Sequence, residues 1–208
     1  MRKRIVRLCV GISALLVIGV LGIVGSTYSW NAHKVEQENN IQSRNTGVAV
    51  VENFPNQTIV PDANRVKEVA FENTGTSAVF LRVAMSERWE TDSEIILGAA
   101  YPSKDRPANF STYWEYSDPA TGGDGWYYYK YVVPRGVKTE NILNSVTFPT
   151  SCPAGADYLL DFIVETVQAS NENVVNAAAT QAVFGREGTI TGMTTINGAV
   201  TGGSVNWN

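Results

Sequence analysis

Beyond residue 47 several stretches place apolar residues on every second position. Val79, Leu81, Val83 and Met85 interleave with Phe80, Arg82, Ala84 and Ser86, the period of a β-strand. Val83 then belongs to the apolar face. Arg82 belongs to the opposite one, where its removal should cost little unless it is paired. Residues 66–72 repeat the pattern, with Val69 and Phe71 on one side and Glu68, Ala70 and Glu72 on the other. Residues 48–54, the set Ile142, Leu143, Val146 and Phe148, and residues 158–167 read as further strands. Pro55-Asn-Gln57, Pro61-Asp-Ala-Asn64 and Asn73-Thr-Gly-Thr-Ser77 supply turn signals between them. Residues 87–121 fit either two strands or one long decorated loop.

The aromatic stretch Gly122-Gly-Asp-Gly-Trp-Tyr-Tyr-Tyr-Lys-Tyr-Val-Val-Pro-Arg-Gly136 predicts a strand over residues 126–133. Trp126, Tyr128, Lys130 and Val132 share one face; Tyr127, Tyr129, Tyr131 and Val133 share the other. Both faces are partly apolar, so the strand should be central or covered on both sides. An aromatic surface for a glycan or protein partner is the alternative use of the same residues. Only residues 171–184 read as helix, with Val174, Ala178, Gln181 and Ala182 along one face, Asn171 or Asn173 as cap, and Gly185 as stop. Residues 186–208 are small and polar. They read as an extended tail or, through Asn197-Gly198, as a hairpin. Many short strands with one late helix predict a mainly-β, antiparallel β-sandwich.

The N-terminus changes the picture of compartment. Arg2, Lys3, Arg4 and Arg7 precede an apolar run of 17 residues, 8–24. Thr27 and Ser29 then stand at the small-residue positions of a signal-peptidase site, which predicts cleavage between Ser29 and Trp30. An uncleaved membrane anchor is the competing reading of a run this long. Cleavage divides the chain into a signal peptide (1–29), a polar lead-in (30–46), a sandwich domain (47–185) and the tail or hairpin (186–208). The mature chain carries 12 Lys and Arg against 20 Asp and Glu, a formal charge of −8. Such a surface repels phosphate backbones and argues against nucleic acid as a partner. Cys9 leaves with the signal, so Cys152 is either a small buried residue or the donor of an intermolecular disulfide.

Several motifs, in order, carry a family resemblance. Gly25-Ser-Thr-Tyr-Ser-Trp-Asn31 resembles the signal peptides cut by SipW-type signal peptidases, with Ser29 where alanine is usual. Phe71-Glu-Asn-Thr-Gly-Thr-Ser-Ala-Val-Phe-Leu-Arg-Val83, the Gly-rich aromatic stretch above and Glu165-Thr-Val-Gln-Ala169 are similar to segments of the same exported proteins. The family is the TasA/camelysin-like, SipW-dependent exported proteins of Gram-positive bacteria. The resemblance spans most of residues 1–185. It implies a jelly-roll-like sandwich, export, and assembly into extracellular matrix fibres. A signal peptidase would then be a partner during export, and other copies or matrix components afterwards.

Catalytic chemistry has little to draw on. A zinc protease needs spaced His and carboxylate ligands, and His33 is the only histidine. A Ser or Cys nucleophile would depend on that same His33. Paired carboxylates such as Asp161 and Glu165 read as solvated charges. No catalytic, metal or cofactor residues are expected. The leading expectation is a secreted, non-enzymatic structural protein of the cell surface or biofilm matrix. Its candidate donor strand for fibre formation is Val48, Val50 and Val51. A glycan- or protein-binding module using Trp126, Tyr127, Tyr128, Tyr129 and Tyr131 is the alternative, and a secreted hydrolase the third reading.

Overall fold

A computed structural model describes residues 47–54, 59–92 and 94–208, all within one compact unit, Ile41–Asn208. The expected cleavage site at Ser29 and Trp30, the lead-in 30–46 and His33 lie outside the described residues. The described residues are mainly β, an antiparallel sandwich with, among them, one helix longer than a single turn. In the first sheet, β1 (Val48–Asn53), β2 (Asn64–Asn73), β8 (Leu143–Thr147) and β5 (Ser103–Asp105) follow in that order. The second sheet is built on β3 (Val79–Glu90), which pairs along its whole length with β9 (Asp157–Gln168). On its other side β3 pairs first with β7 (Tyr127–Tyr129) and then with β4 (Ile95–Ile96); β6 (Trp114–Tyr116) flanks β7.

Alternation decides what each sheet buries. Val69 and Phe71 of β2 meet Val79, Leu81 and Val83 of β3, and Trp114, Tyr129, Leu143 and Val146 fill the space between the sheets. The opposite face of β3 is covered as well. Phe80, Tyr128, Val132 and Val167 form a second core beneath α2 (Asn173–Phe184) and the hairpin of β10 (Gly188–Ile196) and β11 (Ala199–Trp207). Ile190, Val200, Val205 and Trp207 reach into this core, so residues 186–208 form the hairpin rather than the tail. Asn197 (φ 50°) and Gly198 (φ 79°) both occupy the left-handed region at its tip, as an Asn-Gly hairpin turn requires.

Three expectations are corrected. Residues 87–121 are neither two strands nor a plain loop: β3 continues to Glu90, and β4, β5, a four-residue helix α1 (Phe110–Tyr113) and β6 follow. Regular pairing of the aromatic strand is confined to Tyr127–Tyr129. Beyond it, Tyr131 bridges Ser204 of β11 and Val133 bridges Val79, so the chain exchanges β6 for β11 as its neighbour. The helix is α2, and neither Asn171 nor Asn173 is its cap; the face of Val174, Ala178, Gln181 and Ala182 is the exposed one, with Val174 at 84% exposure. The buried stripe is Asn176, Thr180 and Phe184. Asn176 satisfies the backbone N–H and C=O of Ser170 at 2.7 and 2.9 Å, and Thr180 Oγ1 accepts from Gly188 N–H at 2.7 Å. Glu172, without a side-chain cap bond, precedes the helix, and left-handed Gly185 ends it.

Candidate functional site: the aromatic strand and its arginines

Trp126, Tyr127, Tyr128, Tyr129 and Tyr131 divide between the two cores as alternation requires. Tyr129 and Val133 face the inter-sheet core, with Tyr127 and Tyr131 packed against it. Tyr128 and Val132 face the second core, with Trp126 packed against it. Tyr129 meets Trp114 at 4.9 Å between ring centroids, and Tyr128 meets Trp207 at 5.0 Å. These are ring contacts of a packed interior. The Tyr128 and Tyr129 hydroxyls are engaged internally. Tyr129 Oη accepts from Glu140 N–H at 3.2 Å, and Tyr128 Oη donates to Asp124 at 2.7 Å. Burial pushes the Tyr129 phenol up to about 12, and burial with the Asp124 bond raises Tyr128.

Arg82 organises the second-core side. Its guanidinium donates to Glu165 Oε2 at 2.9 and 2.7 Å, to the Phe184 carbonyl at 2.7 Å and to Tyr128 Oη at 3.1 Å. It lies 4.1 Å from the Trp126 ring centroid and 4.8 Å from that of Phe184. Arg82 is therefore buried and paired, and its expected cheap removal does not apply. Asp124, from the Gly-rich turn, adds a contact to Arg82 at 3.4 Å. Burial pushes the Asp124 carboxyl up, yet hydrogen bonds from Tyr128, Trp126 N–H and Ser117, together with the Arg82 charge, hold it below its ordinary value. The Gly-rich turn is thus a lock on the strand it precedes.

Arg106 does the same on the other face. It donates to Tyr127 Oη at 2.7 Å and to the Ile142 carbonyl at 2.9 Å, and it lies 4.6 Å from the Phe110 ring centroid. Burial lowers its pKa. Tyr116 stacks on Tyr127 at 4.5 Å and remains 43% exposed, the one part of this aromatic group open to solvent to that extent. Sequence reasoning missed both arginine hubs. Their signal was a lone cation inside an apolar strand for Arg82 and a cation shortly before an aromatic run for Arg106.

The other singled-out residues stand apart. Val48, Val50 and Val51 lie in β1 and pair within their own sheet, opposite Asn73, Phe71 and Ala70. Asp161 and Glu165 each face an arginine, Arg88 and Arg82. Cys152 is a free, half-buried thiol that donates to the Pro149 carbonyl, its pKa raised by burial and by Asp62. Among the described residues no group of three or more His, Cys, Asp or Glu has metal-holding geometry, and no helix is long and apolar enough to cross a membrane. A scan against protein-family models returns no match. Comparisons with curated proteins and with solved structures likewise match nothing.

Proposed function

We propose that this chain is an exported, non-enzymatic structural protein of the cell surface or extracellular matrix, and that it assembles with copies of itself. The observation that carries the reading is the open edge of each sheet. Among the described residues, β9 pairs only with β3 along 12 residues, and β1 pairs only with β2. Their outer edges present unpaired backbone groups, which another extended chain can satisfy. Segment 30–46 precedes β1 and is the donor; it adds to an edge of the next copy, and residues 48–51 remain in their own sheet. The internal engagement of the strand's tyrosines favours this reading over a binding platform. Resemblance to matrix-fibre proteins points the same way, and export would free the donor by cleavage after Ser29.

The test compares chain 30–208 with a chain starting at Gly47, at matched high concentration, by light scattering and negative-stain microscopy. Filaments from the longer chain alone are expected. Equal behaviour of the two chains would rule out donation by segment 30–46.

A second reading rests on Tyr116. Stacked on Tyr127 and exposed, it offers an aromatic face to a sugar ring. Calorimetric titration of cell-wall oligosaccharides into the protein and into Tyr116→Ala tests it, with binding lost in the variant as the expected result.

A further inference from the structure

Two surface features lie at opposite ends of β3. At its far end, the turn after β4 carries Leu97, which is 86% exposed, beside Ile95 at 54%. The flanking Asp92 and Glu94 are exposed and enter no ion pair among the described residues, and residues 91–101 contain no Lys or Arg. At the near end is an open groove of about 450 Å³, within the size range of pockets that receive small ligands or side chains. Pro134 and the outward edges of Ala78, Ala169 and Val200, residues otherwise buried in the second core, give it apolar lining. Arg135 is its only charged lining residue, exposed and without an ion pair among the described residues. Ala78 immediately precedes β3, and Gln168, also lining the groove, pairs with the first residue of β3. Trp89 and Glu90, at the other end of β3, pair with β4. A strand of 12 residues separates the two features by about 36 Å.

We propose that the groove receives the Leu97 turn of a second copy of this chain. Leu97 enters the apolar lining, and the acidic flank of the turn faces Arg135. The occupant follows from complementarity: an acidic, apolar projection at one end and a groove with a single unpaired cation at the other. Because donor and acceptor occupy opposite ends, the contact is head-to-tail and propagates into a row of subunits unless rotation closes a ring. This inference rests on the self-assembly reading and specifies its longitudinal contact, which is separate from strand donation by segment 30–46.

The experiment uses chain 30–208 and its Leu97→Asp, Glu94→Arg and Arg135→Glu variants, with the double variant Glu94→Arg/Arg135→Glu. All three sites are exposed, and unchanged thermal melting checks that each variant folds. Sedimentation and light scattering read the concentration needed for assembly. The expected result is a rise of about tenfold or more for Leu97→Asp, as for withdrawal of one large apolar anchor. Each single charge reversal should raise it too, and the double reversal should restore it. Assembly unchanged in all variants would overturn the contact and leave the self-assembly reading standing. Loss in Arg135→Glu alone, with Leu97→Asp unaffected, would mean that another occupant fills the groove and would also overturn it. A wild-type chain that stays monomeric would overturn both.

Discussion

Arg82 joins elements that are far apart in the chain, since the Phe184 carbonyl it holds lies 102 residues further on. Arg82→Ala would leave that carbonyl, the Tyr128 hydroxyl and Glu165 short of a donor in a largely covered site. Glu165 and Asp124 keep 29% and 40% of their side-chain surface in solvent, so water offsets part of the loss. The expected destabilisation is about 2–4 kcal/mol, towards the lower part of the range for breaking a buried charge pair. Arg82→Lys should fall between variant and wild type, because one ammonium cannot reproduce the forked contacts. Arg88→Ala is the control. Arg88 pairs with Glu90 and Asp161 at a more open site and should cost about 1 kcal/mol or less. Urea midpoints measure all three, and equal losses for Arg82→Ala and Arg88→Ala would deny Arg82 its linking role. Alternation placed Arg82 correctly opposite Val83. What it could not show was that the opposite face is also covered, because the covering residues come from α2 and the hairpin.

Among the elements, α2 departs most from its sequence pattern. Helical periodicity puts Val174 and Ala178 along one face but does not show which face is buried. Here the inward face is Asn176 and Thr180, whose side chains serve as hydrogen-bond partners for the loops at Ser170 and Gly188. Such a stripe is worth burying only because each polar group is satisfied. Asn176→Ala should therefore cost about 2–3 kcal/mol, the order expected when a buried N–H and C=O lose their partner. Val174→Ala should change stability by about 0.5 kcal/mol or less, since the side chain is 84% exposed and alanine favours a helix. Thermal melts of the two variants give the comparison; a larger loss for Val174→Ala would mean that the valine face, not the Asn176 and Thr180 stripe, is the buried one. The strands were more legible than the helix. Val69, Phe71, Val79, Leu81 and Val83 face the core that their alternation indicates, because a half-buried strand displays its faces directly in sequence.

At the scale of the whole molecule, the sandwich depends on its last residues. The Asn197-Gly198 turn was readable, since its backbone demand falls on two adjacent residues. Its docking was not, because nothing within residues 188–207 names Phe80 or Tyr128 as neighbours. Trp207 makes the join: its ring meets Phe80 at 5.8 Å, Tyr128 at 5.0 Å and Phe184 at 6.0 Å, and its indole N–H donates to the Tyr129 carbonyl at 3.1 Å. Gly188 permits this approach, since a Cβ there would stand 2.7 Å from the Trp207 ring. Trp207→Ala should thus cost about 3–5 kcal/mol, as for other large aromatic truncations in a core. A chain ending at Glu187 should fare worse. It removes Ile190, Val200, Val205 and Trp207 together and uncovers Phe80, Tyr128, Val132 and Val167. That chain should bind a hydrophobic dye and lose its cooperative melting transition. If it instead melts as the full chain does, with no added dye binding, the hairpin is an appendage and the second core stands without it. A graded loss, with Trp207→Ala intermediate, would place the hairpin among the elements that hold β3 and β7 in register.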